Sequence, residues 1–161
     1  MTLTDLADKE IKLYSAVIEI YDGKIKLEPE VNLDRIFTEY KNIHKEYAQI
    51  SDKQIEGLKR GLFIQWYALT EPNYLTGISE LDIKAEREIM TVLKNRIDQN
   101  KTDEELIWMM NYYLAWDWVF EKYKDIAKFK KIDEEKISIS RKIETQGRGQ
   151  MGIYWNSILT E

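Results

Sequence analysis

The sequence predicts an all-α protein, a single irregular helical bundle of five to six helices over residues 1–161, with room for one small β-hairpin. Three observations predict this. Apolar residues recur every three or four positions along most of the chain, the spacing of amphipathic helices. Only 2 prolines and 7 glycines punctuate the 161 residues. No repeat, low-complexity tract or linker divides them, and the length suits one domain. A compact chain of this size buries roughly 70% of the surface its unfolded form exposes, enough to fold on a hydrophobic core. The apolar share of 43% and charged share of 33% fit a soluble globular protein.

The elements follow in order. Residues 4–21 carry Ala7, Ile11, Tyr14, Ile18 and Tyr21 on one stripe, with Thr4 or Asp5 as cap. Asp22-Gly23 then marks a turn, and the flanking Ile18-Glu-Ile-Tyr and Lys24-Ile-Lys-Leu supply the hairpin alternative. Residues 32–50 repeat the helical pattern with Ile36, Tyr40, Ile43, Tyr47 and Ile50. Ser51 and Gln54 form a capping-box pattern before a third helix that runs to about Thr70. That helix is apolar nearly all round, which places it centrally. Residues 73–81 read as a packed loop. Asp82 opens a helix to about Asn100 with Ile89, Met90, Leu93 and Ile97 inward. Thr102 and Glu105 form a second capping-box pattern, and the helix they start runs to about Lys128. Ile137-Ser-Ile-Ser alternates like a short strand, and Met151-Gly-Ile-Tyr-Trp closes the chain as a strand or a docked helical turn.

Composition excludes whole classes of chemistry. With no cysteine there is no disulfide, thiol nucleophile or thiolate metal site. With one histidine, His44, no multi-histidine metal site fits in a single chain. No catalytic set, metal site or cofactor is expected. Early charges at Asp5, Asp8, Lys9, Glu10 and Lys12 leave no apolar leader, and no uncharged stretch exceeds twelve residues, against about 20 for a membrane span. A cytoplasmic location without membrane contact is therefore expected.

The formal net charge is −5, unevenly spread. Residues 1–50 hold 7 basic and 10 acidic side chains, residues 51–120 hold 8 and 12, and residues 121–161 hold 9 and 7. An acidic body argues against nucleic acid, which is bound through phosphate neutralisation. It suits a basic protein partner instead.

Individual signals are weak when taken alone. Gly147-Arg-Gly-Gln-Met-Gly152 matches the dinucleotide-binding glycine pattern, but only nine residues follow, too few for the required βαβ unit. A flexible turn that presents Arg148 to a partner is expected. His44 reads as a structural residue. Asp117 stands between Trp116 and Trp118 in the most apolar segment, so it must face water or find a partner such as Arg60 or Gln65. Asp117 and Glu121 lie one helical turn apart and would attract a basic group. Lys122, Lys124, Lys128, Lys130 and Lys131 would complement the dipole at the helix end. Of the 19 aromatics, Tyr74, Tyr154 and Trp155 are expected at the surface.

These readings converge on a non-catalytic protein-binding module of the bacterial immunity or antitoxin kind. It would neutralise a basic toxin by docking an acidic, aromatic face made of Glu71, Tyr74, Asp117, Trp118, Glu121, Arg148, Tyr154 and Trp155. One alternative is a bundle binding a small ligand or an oxygen-ligated cation, with Glu71, Asp117 and Glu121 converging on Tyr67 or Trp118. A weaker one is RNA binding through residues 122–148.

Overall fold

A computed structural model describes residues 1–24, 29–132 and 143–159 of the chain. Seven α-helices appear among them: α1 (Leu3–Tyr21), α2 (Pro29–Ile50), α3 (Ile55–Thr70), α4 (Asn73–Thr76), α5 (Ile83–Asp98), α6 (Glu104–Tyr113) and α7 (Gly149–Leu159). A single 3-10 turn spans Glu121–Tyr123. The all-α expectation holds, with more helices than the five to six expected and no strand among the described residues. The hairpin is not formed, because α1 stays helical through Tyr21 and Asp22 caps it with its own N–H on the Ile18 and Ile20 carbonyls. The second hairpin arm and the 137–140 strand lie outside the described residues.

Helix α3 is central, as its all-round apolar surface requires. Every residue from Gly57 to Trp66 is buried. It packs between α2 and α5, and Gly61 permits the approach. A Cβ there would lie 2.2 Å from Ile89 Cδ1 of α5. Around Trp66 the core is aromatic. Its ring stacks on Tyr113 at 4.9 Å and meets Trp116 and Tyr154 edge-on at 5.3 and 5.2 Å. Such offset and edge arrangements follow the ring quadrupoles.

Helix α1 buries a different face from the one its apolar spacing predicts. Leu6, Ala7, Glu10, Leu13 and Val17 point inward, while Ile11, Ile18 and Tyr21 are exposed. The inward stripe contains a carboxylate, so it reads as the less apolar face. Its N-terminus is closed by a Thr2–Asp5 capping box, two residues before the expected cap. Neither of the two predicted capping boxes forms. Ser51 donates instead to the Ala48 carbonyl (2.7 Å), and α3 begins after the following turn. Asp103, one residue past Thr102, caps α6 by accepting from the Leu106 N–H (2.8 Å). This leaves the Glu105 carboxylate available for an ion pair.

Asp82 does cap α5, accepting from the N–H groups of Lys84 (3.0 Å) and Ala85 (3.1 Å). Replacing it with alanine strands two helix-end donors and should lower stability by about 1 kcal/mol, read as an earlier urea midpoint. Ile97, predicted inward on α5, is 45% exposed.

The segment expected as one helix to Lys128 ends at Tyr113. Tight turns follow, with i to i+3 bonds from Trp116 N–H to Tyr113 and from Val119 N–H to Trp116. The turns resolve a packing conflict. A continuous helix would spread Trp116, Trp118, Val119 and Phe120 around its axis, whereas here Val119, Phe120 and Tyr123 are buried and Trp118 faces out. Asp117 and Glu121 therefore do not share a helix face. The lysines that follow do not cap a helix either: Lys122 pairs with Glu86 (2.8 Å) and Lys124 with Glu121 (3.2 Å). Residues 149–159 form a helix, and no helix among the described residues is long and apolar enough to cross a membrane.

Candidate functional site

Two features of the fold concentrate chemistry. The first is a buried ionic network that joins α3, α6 and the entry to α7. Arg148 forks onto Glu56, with Nε on Oε1 and Nη2 on Oε2, both 2.7 Å. Its Nη1 donates to Glu105 Oε1 (2.5 Å) and to the Glu144 carbonyl (2.7 Å). Arg60 donates to Glu56 Oε1 (2.8 Å) and to the carbonyls of Leu3 (2.8 Å) and Gly147 (3.2 Å). Lys59 donates to Asp103 (2.7 Å) and Glu105 (2.5 Å). Three cations thus face three carboxylates. Burial works against ionised Glu56, but the Arg148 and Arg60 guanidiniums overcome it and hold its carboxyl below the usual range.

The glycine pattern at 147–152 belongs to this network. A helix N-terminus with free N–H groups is a natural anion site. Here Glu10 of α1 fills it, its carboxyl lying against the backbone of Gly149 and Gln150 and accepting from the Tyr47 hydroxyl (3.4 Å). Gly149 has a φ of +61°, and a Cβ on it would lie 1.5 Å from Glu10 Oε2. The glycine is needed both for the left-handed backbone and for the carboxyl's space. The Gln150 side chain then donates to the Tyr40 hydroxyl (2.5 Å) and the Thr76 carbonyl (2.6 Å). The segment expected as a flexible, partner-seeking turn is an internal anchor. Arg148 is only 5% exposed, because its four hydrogen bonds are all made inside the fold.

Burial pushes the Glu10 carboxyl up to about 8, with Arg60 offsetting part of the effect. His44 moves the other way. It is fully buried, donates from Nε2 to Gln65 Oε1 (3.0 Å), and burial depresses it to about 4, so it is neutral near pH 7.

The second feature is an exposed face. Leu69, Trp118, Val119 and Glu121 border one shallow groove, and Leu69 and Lys122 continue it into a second beside Asn73 and Glu80. Trp118 is 50% exposed and Leu69 37%. Asp117 is exposed, so it meets water and not the suggested partners. Arg60 is committed to the ionic network, and Gln65 to His44 and Tyr123. Glu71, Glu80 and Asp117 have no ion pair among the described residues, whereas Asp125 is paired with Arg87 (2.5 Å). Tyr74 is exposed as expected.

Of the eight residues expected on a docking face, Trp118 and Glu121 border this groove. Asp117 adjoins it through the chain, and Glu71 follows Leu69 by two residues. Tyr154 is half-buried, its hydroxyl bonded to that of Tyr112 (2.5 Å). Trp155 is fully buried against Trp108 and Phe63, a correction that follows from α7 docking its apolar face in the core. Arg148 and Trp155 therefore leave the candidate face. Among the described residues, no group of three or more acidic or histidine side chains is placed to hold a metal ion.

Sequence reasoning missed Glu10, Glu56, Lys59 and Glu105. The available signal was the set of charged residues inside otherwise apolar runs, Lys59-Arg60 above all. Comparison with protein-family models, curated proteins and solved structures finds no match to this chain.

Proposed function

We infer that this chain is a protein-binding module whose docking face is centred on Trp118 and Leu69. The observation that carries this reading is Trp118 itself. A half-exposed tryptophan beside an exposed leucine, in a groove edged by Glu121 and Asp125 as well as Lys122 and Lys124, has the composition of an interface anchor. The aromatic body supplies contact area at low entropic cost. Glu71, Glu80 and Asp117, with no ion pair among the described residues, favour a basic partner and would steer its approach. A bacterial immunity or antitoxin role, blocking a basic toxin, is the specific form of this proposal.

Pull-down from the native cell with the intact chain as bait tests it. A stoichiometric basic partner is expected. Trp118→Ala should weaken that partner by about 2 kcal/mol, roughly thirtyfold in Kd. Because the side chain is half in water, the same change should move stability by only about 0.5 kcal/mol. Replacing Asp117 and Glu121 with their amides should slow association and flatten its salt dependence. A partner that binds the Trp118→Ala protein as tightly as the parent would remove this face from consideration.

A further inference from the structure

A separate cavity lies between the second half of α5, helix α6 and the strap of residues 127–132 that crosses them. It is partly open to solvent and holds about 390 Å³. Leu93, Leu106, Ile107, Met110, Leu114 and Phe129 supply its apolar walls. None of these residues belongs to the Trp118 face.

The strap is pinned in place. Asn111, buried in α6, donates from Nδ2 to the Ile132 carbonyl (2.5 Å) and accepts from the Ile132 N–H on Oδ1 (2.9 Å). The Phe129 ring meets Phe120 edge-on at 5.9 Å. Both contacts are made inside the protein, so the wall is formed before any ligand arrives. A largely preformed apolar cavity with a few polar groups is the usual anatomy of a small-molecule site.

The charges along the lining are unbalanced. Lys94 is paired with Asp98. Lys128 and Lys130 also line the cavity, are exposed, and have no ion pair among the described residues. The pocket thus combines an apolar interior with two cations in contact with water that have no ion pair among the described residues. At about 390 Å³ it lies in the lower part of the range of small-molecule sites, which suits an unbranched chain of about ten carbons with its head group.

We propose that this cavity binds a single-chain anionic amphiphile, a medium-chain carboxylate whose tail lies among Leu106, Met110 and Phe129 and whose head meets Lys128 and Lys130. The tail gains from leaving water. The two lysines supply selectivity for an anionic head over a neutral or cationic one.

Calorimetric titration of the intact protein with sodium decanoate, kept below micelle-forming concentrations, tests this. One saturable site is expected. Decanol should bind about tenfold more weakly, and decyltrimethylammonium should not saturate the site. The Lys128→Glu, Lys130→Glu double variant changes only exposed side chains and should lose about tenfold in decanoate affinity with an unchanged melting temperature. Ile107→Trp, which fills the cavity from its half-buried wall, should abolish decanoate binding. Absence of a saturable decanoate site, decanol binding equal to decanoate, or indifference of binding to the lysine reversals would each overturn the proposal. Trp118→Ala should leave decanoate binding unchanged, which separates this site from the docking face.

Discussion

Arg148→Ala should destabilise the protein by about 3–5 kcal/mol, the loss typical when one partner of a buried ion pair is removed. The cause is not only the lost attraction. Glu56 and Glu105 remain in place, and each is left with part of its charge uncompensated in a partly buried site. The Glu144 carbonyl also loses its donor. Arg148→Lys should recover only a fraction, because an ammonium cannot fork onto Glu56 while also reaching Glu105. Urea unfolding followed by tryptophan fluorescence is a suitable measurement, since Trp66 and Trp155 are both fully buried. The exposed Lys124–Glu121 pair is the control. Its removal should change stability by about 0.5 kcal/mol or less. If Arg148→Ala costs no more than that control, the network does not anchor α7.

The second large effect is a pH profile of unusual shape. Glu10 has a folded pKa of about 8, against an ordinary value of 4.5. Between these values the folded state holds a proton that the unfolded state has released. Stability from this group therefore falls as pH rises through the window. His44 has a folded pKa of about 4, against 6.5. Between those values the unfolded state holds the extra proton, so stability rises with pH. From pH 4.5 to 6.5 the two slopes oppose and nearly cancel. From 6.5 to 8 Glu10 acts alone, and stability should drop by about 2 kcal/mol at roughly one proton per molecule. Below 4.5 the depressed Glu56 adds its own loss as it protonates. Glu10→Gln should remove the fall above pH 6.5 and uncover the His44 rise below it. Urea midpoints at half-unit pH steps report both slopes. A Glu10→Gln protein with the parent's profile above pH 6.5 would show that Glu10 is already ionised in the fold.

The parts of the fold legible in the sequence were those where one strong local rule acted alone. Helix α3 was legible because its apolar residues cover most of its circumference, while the buried Lys59, Arg60 and Gln65 find partners inside the fold, and α5 because Asp82 has no competing cap. The face of α1 was misread for a reason specific to Glu10: helical periodicity assigns a carboxylate to water, and only the N-terminus of α7, 139 positions later, reverses that. The end of α6 was hidden because a uniformly apolar segment satisfies a helix and a series of tight turns equally well. On the candidate face, the sequence left Asp117 open between water and an internal partner, because a carboxylate flanked by tryptophans satisfies either locally; the structure places it and Trp118 at the surface. Arg148 and Trp155 were misread as surface residues. Their partners, Glu56 and Phe63, lie about ninety residues upstream, and no local pattern connects them.

The meeting of α7 with α1 and α3 also sets an order on biosynthesis. Everything through α6 can leave the ribosome while the Glu10 carboxyl, the Glu56–Glu105 cleft and the socket for Trp155 are still vacant. Contacts spanning so much of the chain are slow to form because a large loop must close first. Until α7 emerges, the nascent bundle exposes aromatic surface, the kind of intermediate on which chaperones act. Once it does emerge, a single insertion closes both the ionic cluster and the ring stack.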